Sequence, residues 1–295
     1  MIVTFGSLNA DFVFEVEASP MAGQTIAARS FRIEAGGKGA NQATAAALDG
    51  AKVAMVGAVG RDAMASGLLA DLARAGVDVS RVASVDAPTG CAYIEVTARG
   101  DNRIVVAAGA NALASDNLVD DVLLGSASSI LLQMECPAGQ VERLVRRARS
   151  AGVRSILNLA PAILPSRRTL EECGLLVVNE TEADVLADAV GARATAADLR
   201  RVLGCDVVRT LGAAGVEAAT AAGDFTLPAR SVAVVDTTAA GDCFVGVLAA
   251  ALDRRLDIRS ALVRAVTASS IACTRKGAQA SLPTMNEIDA ALSAA

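Results

Sequence analysis

The chain has 295 residues, 53% hydrophobic, 20% charged and only 2% aromatic, with a formal net charge of −5. This balance excludes an intrinsically disordered chain, which needs low hydrophobicity and high net charge. The acidic sign argues against an electrostatic footprint for nucleic acid, so no nucleic-acid partner is expected.

Without Trp, and with one Tyr and six Phe, the core must be built from Ala, Val, Leu and Ile. The length allows one large domain or two modest ones. A mean hydropathy of +0.44 raises the question of a membrane. The longest charge-free run, 122–134, contains Gly125 and four Ser or Gln residues, and a spanning helix needs about 20 mostly apolar residues. No membrane span is expected. The first six residues carry no basic n-region and Asp11 follows early, so no secretory signal is expected either and the protein is placed in the cytoplasm. Six cysteines, with no C-x-x-C pair, suit small buried hydrophobes in a reducing compartment. The absence of histidine removes Ser-His-Asp and Cys-His catalysis and His-ligated zinc.

In chain order, short β-branched runs predict strands at 2–5, 52–56, 129–133, 154–157, 175–178 and 206–209. Ala-rich periods predict helices at 40–48, 65–75, 140–151, 181–190 and 197–203. The C-terminal third turns helical at 241–252, 259–273 and 284–294, after a strand-like run at 232–235. Strands alternating with helices argue for an α/β fold, a doubly wound, mostly parallel sheet with helices on both faces. Segments 11–33 and 90–106 break the rhythm. They alternate apolar and polar residues and read as antiparallel strands of a small β lid. The whole of 1–295 is expected to be one domain with this appendage. The arginines at 143, 146, 147, 149 and 154 read as a solvated helix face.

Four stretches carry candidate chemistry. Gly36-Gly37-Lys38-Gly39-Ala40-Asn41 lacks the spacing of a Walker P-loop and of a dinucleotide fingerprint. It reads as a flexible turn opening a helix, where N–H groups, Lys38 and Asn41 can converge on a polar ligand. Asp236-Thr237-Thr238-Ala239-Ala240-Gly241-Asp242 puts small residues at a helix start, where exposed N–H groups can close around a phosphate. Asp242 there is either a favourable first-turn charge or the base that phosphoryl transfer to a hydroxyl requires. Asn179-Glu180-Thr181-Glu182 reads as a helix N-cap, and Thr210 to Gly215 as a glycine-rich turn.

Taken together and in order, these stretches resemble the two signatures of the PfkB (ribokinase-like) carbohydrate kinase family. The opening Gly6-Ser7-Leu8-Asn9-Ala10-Asp11, Thr89 to Ala92, Asp101 to Asn111 and Thr274 to Pro283 belong to the same resemblance, which covers essentially the whole chain. It implies an ATP-dependent kinase of a small sugar, D-ribose first, with another sugar or a nucleoside as the alternative and a non-catalytic sugar-binding protein behind these. Asp242 would be the base, and Ala239, Ala240 and Gly241 the anion hole. Asn9, Asp11, Gly37, Lys38, Gly39, Asn41 and Glu135 would line the sugar pocket. Asn179 and Glu182 would orient Mg²⁺–ATP, Glu182 through water, with Thr210, Gly212, Gly215 and Gly241 around the nucleotide. The carbonyls of Asp236, Thr238, Ala272, Arg275 and Gly277 and the hydroxyl of Ser281 would hold an activating K⁺. The family likeness also implies a homodimer joined through the lids. Two departures stand out: Ala65 and Gly67 after Gly60-Arg61-Asp62, and Val266 and Thr267 at adenine-facing positions.

Overall fold

Strand β1 (Ile2–Phe5) is buried at every residue, the signature of a strand covered on both faces. The computed structural model describes residues 1–99 and 102–294; Gly100 and Asp101, within the lid segment expected from the sequence, lie outside them, as does Ala295. After β1 come β2 (Asn9–Val16), β3 (Ser30–Gly36), α1 (Lys38–Leu48), β4 (Val53–Val59), α2 (Ala63–Arg74), β5 (Val77–Ser84), β6 (Gly90–Thr97) and β7 (Asn102–Ala107). The chain continues with α3 (Asp121–Ser126), β8 (Ser129–Leu132), α4 (Ala138–Ser150), β9 (Arg154–Asn158), α5 (Arg167–Glu172), β10 (Leu175–Val178), α6 (Glu180–Val190), α7 (Ala196–Leu203) and β11 (Asp206–Thr210). It ends with β12 (Val216–Thr220), β13 (Gly223–Leu227), α8 (Ala240–Asp253), α9 (Ile258–Ala272) and α10 (Met285–Ser293).

Nine strands form one sheet in the order β13-β12-β11-β10-β9-β8-β1-β4-β5. It is parallel from β11 through β5, and the β12–β13 hairpin adds an antiparallel edge. This is the expected doubly wound α/β sheet. From β1 the chain winds outward to β4 and β5, then returns to β8 on the other side. In open α/β sheets ligands bind beyond the carboxyl ends of the strands at such a reversal.

Helix α4 buries Val141, Leu144, Val145 and Ala148, one stripe at the i, i+3, i+4, i+7 spacing, and its arginines face outward. Arg143 and Arg147 pair with Asp116, and Arg146 with Glu142, so these three form an ion-paired helix face, whereas Arg154 lies off the helix at the start of β9. Helix α8 differs: Asp242 through Ala251 are all buried, because α1 and α9 flank it. A helix apolar all round is one enclosed on all sides. No helix among the described residues is long and apolar enough to cross a membrane.

The separate four-stranded sheet, in the order β3-β2-β6-β7, is the expected lid. One correction concerns its pairing. β2–β3 and β6–β7 are antiparallel, but β2 and β6 run parallel, since both leave the main sheet in the same direction. A second concerns 232–235. These residues form no strand; they run largely exposed, with Val235 N–H donating to the Cys273 carbonyl at 2.8 Å. The sheet edge is already taken by β13, so the segment lies against the end of α9. Strands β5, β12 and β13 went unread in the sequence. Val216–Thr220 and Gly223–Leu227 are only five residues each, with two Ala in the first and Gly and Asp opening the second, and neighbour pairing rather than propensity makes them strands.

Candidate active site

The carboxyl ends of β1, β8, β9, β10 and β11 open onto the N-termini of α1 and α8. At β1 the chain turns into the lid through Ser7, Leu8 and Asn9. Asn111 clamps that turn: it accepts from Leu8 N–H at 2.9 Å and donates to the Leu8 carbonyl and, at 2.7 Å, to Asn9 Oδ1. Asn9 is thereby held with its oxygen engaged and its NH₂ left as the donor.

Gly37 precedes α1 at φ 88, a left-handed conformation that disfavours any side chain, and a Cβ there would stand 2.8 Å from Asn9 N. The helix start has no side-chain cap of its own. Glu135, beyond β8, supplies one: Oε2 accepts from Lys38 N–H at 3.1 Å and from the Ser7 hydroxyl at 2.5 Å. Ser7 Oγ in turn accepts from Gly39 N–H at 3.3 Å. A carboxylate at a helix N-terminus also complements the helix dipole.

Asp242 sits in the first turn of α8 and is 6% exposed. Asn41 Nδ2 donates to its Oδ2 and Gln42 Nε2 to its Oδ1, each at 3.0 Å. Ala239 begins the helix in the left-handed region, φ 57, a strained state for a residue with a side chain and one that clusters at functional sites. Ala240 N–H donates to Thr237 O at 3.2 Å and Ser269 Oγ to Ala240 O at 3.0 Å. A cavity of about 240 Å³ runs from Asp242, Lys38, Ala239 and Gly241 to Asn179, Glu182 and Thr210.

One cation faces several carboxylates here. The Asp242 carboxylate, helped by Glu135 and Glu182, holds the Lys38 ammonium above its ordinary value against the effect of burial. Burial pushes Asp11 up to about 7, with Glu135, Glu34 and Asp242 adding to it. Its Oδ1 is buried with no partner among the described residues. Burial also raises Glu182, opposed by the Asn179 N–H and Lys38. Asn179 and Glu182 form a capping box, each side chain accepting from the other's N–H at 2.8 Å, so the N-cap reading of that stretch holds.

A second cavity, about 500 Å³, continues from Gly241 past Thr210, Gly212, Gly215, Phe244 and Val266 to Cys273. Thr267 points elsewhere, its hydroxyl bonded to Val263 O within α9. Beside this cavity the tail loop meets the Asp236 turn. Asp236 Oδ2 accepts from Gly277 N–H at 3.0 Å, and its Oδ1 from Thr238 N–H and hydroxyl. These contacts outweigh burial and keep Asp236 below its ordinary value. Ala272 O accepts from Arg275 N–H at 3.1 Å, and the buried Ser281 hydroxyl donates to Ala278 O at 2.8 Å.

The structure thus brings Asn9, Lys38, Asn41, Glu135, Asp242 and Glu182 to one strand-end cleft. Sequence reasoning passed over Ser7, Gln42, Asn111, Asn158 and Gln279. Ser7, Gln42, Asn111 and Gln279 stand inside or beside the recognised stretches. Asn158, a polar residue closing an apolar strand, was the one local signal available for its site.

A doubly wound α/β sheet with a strand-end cleft, a β lid and a buried carboxylate at a helix start defines a phosphoryl-transfer enzyme acting on a small molecule. The pfkB family carbohydrate kinase model matches residues 1–285, and the chain belongs to that family, which makes it an ATP-dependent sugar kinase. It is 36% identical over 295 residues to the ribokinase of Haemophilus influenzae, spanning 97% of this chain and 96% of that one. The ribokinase structure from Thermotoga maritima superposes with a TM-score of 0.93 at 32% identity, covering 99% of both chains. The Arabidopsis thaliana ribokinase complexed with ribose and ATP gives 0.89 at 30% identity, covering 99% of this chain and 98% of that one.

Proposed function

We propose that this chain transfers the γ-phosphoryl group of ATP to the primary hydroxyl of D-ribose, with Asp242 as general base. The observation that carries the reading is the Asp242 carboxylate, buried at the start of α8, oriented by two amides and open to the cavity shared with Asn179 and Glu182. The ribose hydroxyl gives its proton to Asp242 as its oxygen bonds to the γ-phosphorus. The bond from that phosphorus to the β–γ bridging oxygen breaks, and ADP leaves with the electron pair. N–H groups of Ala239, Ala240 and Gly241 at the helix start stabilise charge on the transferring oxygens. The Ala240 N–H must leave Thr237 O to take part. Lys38, lining the same cavity, adds positive charge on the phosphate side.

Asn9, Asp11, Gly37, Lys38, Gly39, Asn41 and Glu135 recognise the sugar hydroxyls, and Thr210, Gly212, Gly215 and Gly241 flank the nucleotide. Among the described residues no group of three or more acidic or Cys side chains is arranged to hold a metal. The Glu182 carboxylate, lining the cavity beside Asn179, suits a hydrated Mg²⁺ bound to it through water and to phosphate oxygens, which would supply charge neutralisation when present. The oxygens of Asp236, Thr238, Ala272, Arg275, Gly277 and Ser281 suit a weakly held monovalent cation such as K⁺, whose effect would be to steady the turn leading to Asp242.

Residues 1–295 act as one catalytic unit, in the cytoplasm, where six unpaired thiols persist. The lid's outer face carries Phe31, Ile33, Tyr93 and Val105, 39–66% exposed, beside Phe12 and Phe14. An apolar face of this kind needs cover, and a second copy's lid supplies it.

Because strand residues alternate faces, that aromatic cluster lies on the side opposite Asp11 and gives a nucleoside base no platform over the sugar site. A side-by-side kcat/KM comparison with saturating Mg²⁺–ATP and K⁺ should rank D-ribose first, 2-deoxyribose next, and fructose and adenosine below. Fructose or adenosine ahead of ribose would overturn the substrate, and equal activity with and without K⁺ would remove the cation.

A further inference from the structure

Between β8, β9 and α1 lie three buried amides, of which the proposed chemistry uses only the contact of Gln42 with Asp242. Gln133 and Gln42 are fully buried and Asn158 is 7% exposed. Gln133 Nε2 donates to Gln42 Oε1 at 2.7 Å. Gln42 Nε2 donates to Asp242 Oδ1 and to Asn158 Oδ1, both at 3.0 Å. With its oxygen taken by a donor, the Gln42 amide cannot flip without setting NH₂ against NH₂, so its hydrogens stay on Asp242. The second carboxylate oxygen is held in the same way: Gln279 Nε2 donates to Asn41 Oδ1 at 3.3 Å, and Asn41 Nδ2 to Asp242 Oδ2.

The helices that carry these groups are closely packed. A Cβ on Gly246 of α8 would stand 2.4 Å from the Gln42 carbonyl. Apolar side chains would fill the same space without burying amides, one of which, Gln133, has its Oε1 unpartnered among the described residues.

We infer that Gln42, locked by Gln133, is a positioning residue that sets the direction of the Asp242 carboxylate toward the substrate hydroxyl. Each carboxylate oxygen accepts one amide and keeps acceptor capacity for the substrate. This inference rests on Asp242 being the base, and the experiment separates the two.

Gln42→Met keeps the length and removes the donor. It should lower kcat about 10- to 100-fold, the range a small misplacement costs, while KM for sugar and for Mg²⁺–ATP stays within about twofold. Gln133→Met, one step further out, should give the same split with a smaller loss. Repeating Gln42→Met on an Asp242→Asn background is the decisive arm. A residue acting through Asp242 has nothing left to act on there, so the further loss should be under about twofold. An equal loss in both backgrounds, or a fall in kcat matched by a rise in KM, would make Gln42 merely structural. Should Gln42→Met not fold, as thermal melting would reveal, Gln133→Met in both backgrounds decides by the same criterion. High turnover by Asp242→Asn alone would instead overturn the base assignment.

Discussion

Strands β1, β8 and β10 of the large sheet are buried at every residue, whereas β7 at the edge of the lid is exposed along its whole length. The large sheet closes its own core with helices on both faces. The lid has one face toward the cleft and one, bearing half the chain's phenylalanines and its only tyrosine, toward solvent. The division matches the proposed chemistry. Asp242, Asn41 and Gln42 stand on helices packed into the body, where position must be accurate. Asn9 and Asp11 stand on β2 of the lid, where recognition can accompany closure over the sugar.

The largest expected effect tests the body. Asp242→Asn keeps the shape but cannot take the proton, and it gives up one of the two amide hydrogen bonds that Asp242 accepts. Turnover should fall about 10²- to 10⁴-fold, with sugar affinity, followed by calorimetry, nearly unchanged because Asn9 and Asp11 remain. Full turnover would relocate the base.

Next comes burial. Leu131→Ala in β8 should cost about 2–5 kcal/mol in denaturant unfolding. Val105→Ser on the outer lid face should cost no more than about 0.5 kcal/mol, yet shift size-exclusion chromatography from dimer toward monomer. Comparable losses of stability, or a monomer at every concentration before mutation, would break the contrast.

The smallest effect sharpens it. Asp11 is pushed from 3.8 to about 7 by burial and by the Glu135, Glu34 and Asp242 carboxylates. Its contribution to stability of the free enzyme is full below about 4 and is lost as pH rises through about 7. Asp11→Asn should flatten that part of the melting profile. Sugar hydroxyls donate to the charged form and favour it, so KM for ribose should rise as pH falls below about 7. A KM flat across that range would place Asp11 outside the recognition set.

Much of the fold was legible because its signals are local. Parallel strands read as continuous apolar runs, and α4 reads as a single stripe. The start of α6 shows its capping box in Asn179 and Glu182. The four glycine-rich or acidic stretches were visible because turns and anion-binding helix starts restrict residue type, and their joint order carried the family resemblance. Other features depended on partners distant in sequence. Asp242 and Gln42 are 200 residues apart and Asn41 and Gln279 are 238 apart, so no spacing rule links them. The parallel β2–β6 pairing, the coil at 232–235 and the partners of Gln133 follow from which strand or helix is already occupied by a neighbour. Residue types alone marked the candidate base. Only the packing of α1 against α8 decided what holds it, because a carboxylate's direction is set by donors that arrive from other parts of the chain.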